Sequence, residues 1–126
     1  MRADHDSVSE NSAYGLFSKG MGFLERGHPH QAVMYLSEAK LVEPDKASIR
    51  EALGRALFMT GRMGRARREF AKAVEIDPAN DYAHFGLGLA CARTGQHSRA
   101  IGHLKLALAM QPSVDHYRKA LERLDY

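Results

Sequence analysis

The sequence predicts an all-α protein built as a stack of antiparallel helix pairs. Pro44, Pro78 and Pro112 are evenly spaced, since 78 − 44 and 112 − 78 both equal 34. Between them, apolar residues recur three and four positions apart, which places them on one face of a helix. Each interval holds two such helical patterns, and a glycine stands between them. Every copy therefore indicates a helix, a tight turn and a second helix, repeated along the chain.

The period is kept by several residue types at once. Besides the prolines, four further sets of small residues recur with the same spacing in all three copies. These sets are Gly20, Gly54 and Gly88; Gly27, Gly61 and Gly95; Ala32, Ala66 and Ala100; and Ala39, Ala73 and Ala107. Agreement of five independent sets over three copies establishes an internal repeat.

The predicted first helices cover residues 11–26, 46–60 and 81–94, and the second helices cover 29–42, 62–76 and 96–110. A glycine closes each first helix, as expected where a helix ends in a left-handed residue. Pro29 falls in the first turn of its helix, where proline is tolerated. Each second helix stops before a proline, because the residue that precedes proline is disfavoured in helical conformation. The predicted caps of the following helices are Asp45, Asn80 or Asp81, and Ser113.

Small residues inside the helices predict close packing. Gly20, Gly54 and Gly88 lie inside first helices, where glycine costs about 1 kcal/mol relative to alanine. We therefore expect the backbone of a neighbouring helix to come close at these positions. Ala32, Ala66 and Ala100 offer a matching small surface on the second helices. The large residues that would fill the space between the layers are Leu36, Phe70 and Leu104.

The pattern resembles the tetratricopeptide repeat (TPR) family. The second copy carries Leu53-Gly54, Leu57, Ala66, Phe70, Ala73 and Pro78, and the third carries Leu87-Gly88, Cys91, Ala100, Leu104, Ala107 and Pro112. The first copy departs at Lys19, where leucine is usual, and Arg50 and His84 replace the usual large residue in copies two and three. The resemblance implies a right-handed superhelical stack (an alpha-alpha superhelix) of about seven helices. Its domain would cover 11–126, with repeats at 13–46, 47–80 and 81–114, a capping helix at 114–125 and a disordered tail at 1–10.

Composition narrows the class of function. The chain has 126 residues, enough for one domain, and a formal net charge of +3. This charge is low for a dedicated nucleic-acid binder, so we expect no nucleic-acid partner. A single cysteine, Cys91, excludes an intramolecular disulfide and a cysteine-built zinc site. We find neither a signal-peptide pattern nor an apolar run long enough to span a membrane, so we expect a cytoplasmic protein without a membrane partner.

The sequence offers no recognisable catalytic arrangement. Its histidines are scattered over different repeats and phases, so we expect surface histidines and no metal site. Gly20-Met21-Gly22 and Gly86-Leu87-Gly88 look like phosphate loops but fall inside predicted helices without a preceding strand. Cys91 occupies a large-residue position, which favours a buried packing role over a reactive thiol. We therefore expect a non-enzyme without cofactor.

The resemblance also implies a binding surface, because the first helices of this family line a concave groove. Carried over by position, the groove residues are Tyr14, Phe17, Met21, Arg55, Phe58, Met59, Tyr82, Phe85, Leu89, Arg93, Lys119 and Arg123. One subclass grips C-terminal carboxylates with charged and amide side chains at five fixed positions. Those positions hold Phe17, Met21, Ala52, Tyr82 and Gly86 here, so the clamp is absent. The groove predicts a protein- or peptide-binding adaptor or scaffold for an apolar or amphipathic segment, with a basic edge.

Three alternatives stay open. Some of these side chains pack between helices in one interpretation, and in another a second copy of the chain covers the groove in a homo-oligomeric structural protein. The third alternative is an RNA-associated module, which would use a basic cluster on the second helix of the second repeat. Glu69 and Glu75 dilute that cluster, so a solvated face is favoured. Its members are Arg62, Arg65, Arg67, Arg68 and Lys72.

Overall fold

Seven α-helices follow one another between residues 12 and 124, the range that the computed structural model of the protein describes. The predicted tail at 1–10 and residues 11, 125 and 126 lie outside this range. The helices form three antiparallel pairs and a last single helix. They are α1 (Ala13–Glu25), α2 (Pro29–Val42), α3 (Ala47–Met59), α4 (Met63–Ile76), α5 (Asp81–Arg93), α6 (His97–Met110) and α7 (Asp115–Leu124). The predicted all-α class is confirmed.

The helix ends follow the predicted chemistry at the glycine turns and at the start of α5, but not at the start of α3. Gly27, Gly61 and Gly95 have φ angles of 80°, 84° and 80°, a left-handed conformation that glycine adopts at little cost. Asn80 caps α5, because its side chain accepts a hydrogen bond from the Ala83 amide at 3.0 Å. The prediction that Asp45 caps α3 is wrong. Lys46 holds the cap position there, and its side chain makes no capping hydrogen bond.

Packing within each pair brings a large side chain of the second helix onto a glycine of the first. A Cβ atom at Gly20 would lie 2.6 Å from Leu36 Cγ, and one at Gly88 would lie 2.8 Å from Leu104 Cγ. The predicted close approach is therefore made mainly by side chains. The backbone comes near in the third pair, where the Ala100 carbonyl oxygen would lie 3.2 Å from the Gly88 Cβ.

Phe70 joins the second and third pairs. Its ring is 2% exposed and lies 3.0 Å from the place of a Gly54 Cβ on α3. The opposite edge of the ring fills the place of a Gly86 Cβ on α5, where the two would overlap. One aromatic side chain thus occupies space that two glycines leave free, and it belongs to the central core cluster.

A buried ion-pair network explains the departure at Arg50. Glu69 is 8% exposed and binds Lys40 Nζ at 2.7 Å and Arg50 Nη1 at 3.1 Å. Arg50 Nε also donates to the Pro44 carbonyl at 2.8 Å. The network links α2, α3 and α4, so a polar residue replaces the large apolar one because partners satisfy its charge.

The first helix carries a polar residue at a position where the internal repeats carry a buried leucine. Lys19 is exposed and lies over the Tyr35 ring at 5.4 Å, whereas the equivalent Leu53 is fully buried. On α7, Ala120 and Leu121 face the core as predicted. No described helix packs on the outer side of α1, so a leucine in place of Lys19 would face water.

We expect the two glycines Gly86 and Gly102 to respond oppositely to alanine. Gly86→Ala should lower the free energy of unfolding by about 1–3 kcal/mol, because the added methyl overlaps the Phe70 ring. Gly102→Ala should raise it by up to about 1 kcal/mol, since nothing lies within 4 Å of its Cβ and alanine favours helix. Urea unfolding of both variants beside the parent measures the two changes. Equal effects of the two substitutions would contradict this packing.

Candidate functional site

The first helices of the pairs lie side by side and share one surface, which we call the groove. Residues one repeat period apart fall into equivalent places on α1, α3, α5 and α7, so their side chains form rows across the groove. One row holds Tyr14, Ser48, Tyr82 and His116. The next holds Phe17, Glu51, Phe85 and Lys119, and the third holds Met21, Arg55, Leu89 and Arg123.

A cavity of about 220 Å³ lies in the middle of the groove, between α3 and α5. Six of the predicted groove residues line it: Arg55, Phe58, Met59, Tyr82, Phe85 and Leu89. Phe70 and Gly86 complete the lining, so the contact that joins the second and third pairs also borders this central cavity. The lining is apolar apart from the guanidinium of Arg55 and the hydroxyl of Tyr82.

A second depression of about 180 Å³ continues the groove toward α7. It shares Leu89 with the central cavity and brings Arg93 and Arg123 to its edge. The guanidinium of Arg93 lies 5.1 Å from the centre of the Phe58 ring, within the range of a cation–π contact. Together, the central cavity and this cap-side depression form one track with an apolar floor and cationic groups beside it.

The predicted groove residues of the first repeat lie outside this track. Tyr14 and Phe17 line a separate cavity of about 290 Å³, which Glu43 and Lys46 border from the turn between α2 and α3. Met21 is half-buried against the core. Of the twelve predicted residues, eight border the central track, Tyr14 and Phe17 line an outlying cavity at the start of α1, and Met21 and Lys119 line neither.

Several predicted groove residues also pack against the core. Phe17, Met21, Phe58 and Tyr82 contact the central core cluster, and Phe85 and Leu89 contact the cluster beneath α7. All six are half-buried. The alternative that such side chains pack between helices therefore applies to them. Met59, at 48% exposed, and Tyr14, at 74%, are the most accessible large apolar side chains of the predicted set.

A polar rim lies beside the central cavity. The Asn80 side chain donates to Glu51 at 2.9 Å, joining α3 to the start of α5. Burial raises the pKa of the Glu51 carboxyl, against the opposing effects of Asn80 and Arg55. Burial likewise raises the pKa of the Tyr82 hydroxyl. The groove therefore holds a partly buried carboxyl as well as the basic residues that the sequence predicts.

Tyr117 was not among the predicted site residues, although it connects α7 to the groove. Its hydroxyl donates to Asp81 Oδ2 at 2.6 Å, and its ring centre lies 4.8 Å from that of Phe85. Burial, with the Asp81 hydrogen bond, raises the pKa of the Tyr117 hydroxyl far above its usual range. The signal present in the sequence is the repeat period, which puts Tyr117 in register with the apolar residues Ile49 and Ala83.

The basic cluster on α4 differs from the prediction in one respect. Glu69 does not dilute it, because that carboxylate turns inward to Lys40 and Arg50. Glu75 remains on the outside and pairs with Lys72 at 3.2 Å. The exposed members of the cluster are Arg62, Arg65 and Arg68.

Among residues 12–124, no group of three or more histidine, cysteine or acidic side chains could hold a metal ion. Within the same range, no helix is both long and apolar enough to cross a membrane. Cys91 is buried, as the packing interpretation predicts, and burial raises the pKa of its thiol.

Comparison with known families agrees with the geometry. Two tetratricopeptide repeat family models match the chain, one over residues 17–81 and the other over 61–124. The chain belongs to the tetratricopeptide repeat family.

Two relatives match part of this chain in sequence. Mouse superkiller complex protein 3 is 30% identical over 93 residues, which are 74% of this chain and 6% of that protein. Small glutamine-rich tetratricopeptide repeat-containing protein 2 of Mycosarcoma maydis is 29% identical over 80 residues, or 64% of this chain and 23% of that one. This chain therefore spans under a quarter of either relative.

Two solved structures superpose closely on the chain. MamA has a TM-score of 0.85 at 21% identity, over 98% of this chain and 73% of its own. The first tetratricopeptide repeat domain of Spaghetti (RPAP3), bound to the HSP90 peptide SRMEEVD, has a TM-score of 0.85 at 17% identity, over 92% of this chain and 91% of its own. At these identities the likeness shows the alpha-alpha superhelical fold alone.

The clamp-type positions of this tetratricopeptide repeat chain hold no cation. Ala52 and Gly86 are buried in helix contacts, and Phe17, Met21 and Tyr82 are half-buried. The arginines of the groove lie at other positions, beside the central cavity and the cap-side depression.

We expect Tyr117→Phe to loosen α7. Losing the hydrogen bond to Asp81 should lower the free energy of unfolding by about 1.5 kcal/mol at pH 7. Because folding raises the pKa of this hydroxyl, its stabilising effect is complete below the ordinary tyrosine pKa of about 10 and falls as pH rises. Unfolding curves at pH 7 and pH 10.5 should show a smaller alkaline loss in the variant. An equal alkaline loss in parent and variant would contradict the assignment.

Proposed function

We propose that this tetratricopeptide repeat protein is an adaptor that binds an apolar or amphipathic segment of a partner protein in its groove. The observation that carries the proposal is the continuous track formed by the central cavity and the cap-side depression, which share Leu89. An apolar side chain placed in the central cavity would contact Phe58, Met59 and Phe85. Concave apolar sites with a few polar groups are typical of ligand binding.

The positive charges beside the track support a preference for partner segments that also carry an acidic residue. Arg55 borders the central cavity, and Arg93 and Arg123 border the cap-side depression. An acidic residue next to the apolar segment would be attracted to these guanidinium groups. The partner would therefore be amphipathic, with apolar side chains for the floor and a carboxylate toward α7.

Peptide binding by related structures supports this use of the fold. The Spaghetti domain holds an HSP90 peptide, and the structure of YrrB is described as that of a tetratricopeptide repeat protein with an unusual peptide-binding site. YrrB superposes with a TM-score of 0.80 at 22% identity, over 90% of this chain and 59% of its own. The proposed adaptor acts by binding, without catalysis or a cofactor, in the cytoplasm.

We expect a charge in the groove to weaken binding, whereas a matched charge outside the groove should not. The probe is a twelve-residue peptide selected from a displayed random library against the parent protein. Met59→Glu should weaken binding of this peptide at least tenfold, about 1.4 kcal/mol, because the carboxylate faces the apolar floor. Fluorescence anisotropy measures the affinity.

Leu106→Glu is the matched control for this experiment. Leu106 is 45% exposed, close to the 48% of Met59, but it lies on the second helix α6. Equal loss in both variants, or none in Met59→Glu, would contradict binding in the groove. Sedimentation of both variants separates this proposal from self-association. A dimeric parent that becomes monomeric with Met59→Glu would favour the homo-oligomer alternative.

We also expect the peptide SRMEEVD to bind poorly, with a dissociation constant at least tenfold weaker than that of the selected peptide. The five clamp positions offer neither cations nor amides for its terminal carboxylates. The same anisotropy competition assay measures both peptides on the parent protein. Binding of SRMEEVD as tight as that of the selected peptide would show that the groove arginines replace the clamp.

A further inference from the structure

A pair of histidines occupies the place that an ion pair holds one repeat earlier. His84 stands one repeat period after Arg50, and His103 stands one repeat period after Glu69. The Nδ1 atoms of the two imidazoles lie 3.1 Å apart, joining α5 to α6. The rings are stacked, with their centres 5.3 Å apart. His84 is 4% exposed.

Hydrogen-bond chemistry limits the protons that this pair can hold. His84 Nε2 lies 2.9 Å from the Pro78 carbonyl oxygen, which only accepts, so this nitrogen carries a hydrogen. In the neutral pair, His84 Nδ1 is then an acceptor and His103 Nδ1–H donates to it. With one added proton, an Nδ1–H of one ring still faces the Nδ1 lone pair of the other, so the hydrogen bond between the rings remains. A second added proton would place two N–H groups and two positive charges against each other.

We propose that the His84–His103 pair is an acid-sensitive lock that holds α5 against α6 at neutral pH and weakens as the pH falls below that of ordinary histidine titration. The equivalent place in the second repeat holds the Arg50–Glu69 ion pair and no imidazole. The third pair of helices therefore responds to acid where the second does not.

The groups around the pair do not offset a gain of charge. Burial lowers the pKa of His103, and the neighbouring His84 and Arg99 act in the same direction. From α4, the residue in register with Lys40 is Val74, which carries no charge. From α7, the Tyr117 hydroxyl is bonded to Asp81. Among the described residues, no carboxylate forms a salt bridge with either imidazole.

The direction of the effect follows from proton linkage. Because folding lowers the pKa of His103, the unfolded chain binds this proton more readily than the folded one. The stabilising contribution is therefore complete above the unfolded pKa of about 6.5 and is lost as the pH falls below it. Each proton taken up only by the unfolded chain lowers the folding equilibrium constant by up to about tenfold per pH unit.

The lock has a consequence for the groove, and this consequence alone rests on the proposed function. Helix α5 carries His84 toward α6 and presents Tyr82, Phe85 and Leu89 to the central cavity. Loosening α5 at acid pH would disturb that lining, so a bound segment would be released as the pH falls.

The test exchanges the histidine pair for the chemistry of the preceding repeat. The variant His84→Arg with His103→Glu reproduces Arg50 and Glu69 at the equivalent register, without an imidazole. Urea unfolding of parent and variant at pH 7.5 and pH 5.5, with EDTA present, gives the folding equilibrium constants. Between pH 7.5 and pH 5.5, we expect the folding equilibrium constant of the parent to fall by a factor three to ten times larger than that of the variant. Equal losses would overturn the lock.

A second variant and a spectroscopic measurement cover the case in which the double variant does not fold. His103→Gln keeps a hydrogen-bonding group beside His84 but cannot be protonated, and it should also lose the acid sensitivity. NMR titration of the imidazole C–H signals in the folded parent should place the His103 midpoint below that of a free histidine. A midpoint at the free-histidine value for His103 would overturn the proposal.

A binding measurement separates the lock from the proposed function. The selected twelve-residue peptide should bind more weakly at pH 5.5 than at pH 7.5 in the parent and equally in the His103→Gln variant. In one outcome, the His103→Gln variant loses the acid sensitivity of unfolding while the parent binds the peptide equally at both pH values. That result would keep the lock and remove its effect on the groove. Failure to select any groove-binding peptide would contradict the proposed function while the unfolding experiment still decides the lock.

Discussion

The stack depends on the packing of Phe70 between two glycines. Its ring occupies the space beside Gly54 on α3 and Gly86 on α5, so a single side chain holds its own helix pair and the next one together. Protein interiors are close-packed, and a methyl group added at either glycine would displace the ring. Because Phe70 and Gly86 also line the central cavity, the contact that fixes the stacking of the repeats shapes the candidate binding surface as well.

One pair of equivalent positions holds side chains of three different kinds in the three repeats. In the first repeat Leu16 and the partly buried Tyr35 belong to an apolar cluster. In the second, Arg50 and Glu69 form a buried ion pair, and in the third the equivalent residues are two histidines. The fold accepts the two polar pairs because the members of each bind one another. A buried polar group is costly chiefly when it lacks a partner. Of the three pairs, only the third is built from imidazole, the side chain whose ordinary pKa lies between pH 5 and 8.

The groove side chains stabilise the core and also form the candidate binding surface. Phe58, Tyr82 and Phe85 are half-buried against the core and also line the central cavity, so their removal would affect both properties. A surface held in this way is rigid before any partner arrives, and a preorganised site loses less entropy on binding. Met59 is more exposed and reports on the groove with less effect on the core.

The sequence by itself determined the helices, the glycine turns and the rows of equivalent residues, because helix periodicity and the spacing of the repeat are local properties of the chain. Lys19 and Glu69 show where this reasoning ends. The repeat identified Lys19 as a departure, but the lack of a described helix over α1 explains it. Glu69 was expected on the surface with the α4 basic cluster, and Lys40 and Arg50 draw it inward. The division of the predicted groove into separate cavities was likewise decided by tertiary structure. A repeat fixes which residues are equivalent, whereas the partner of each side chain depends on helices distant in sequence.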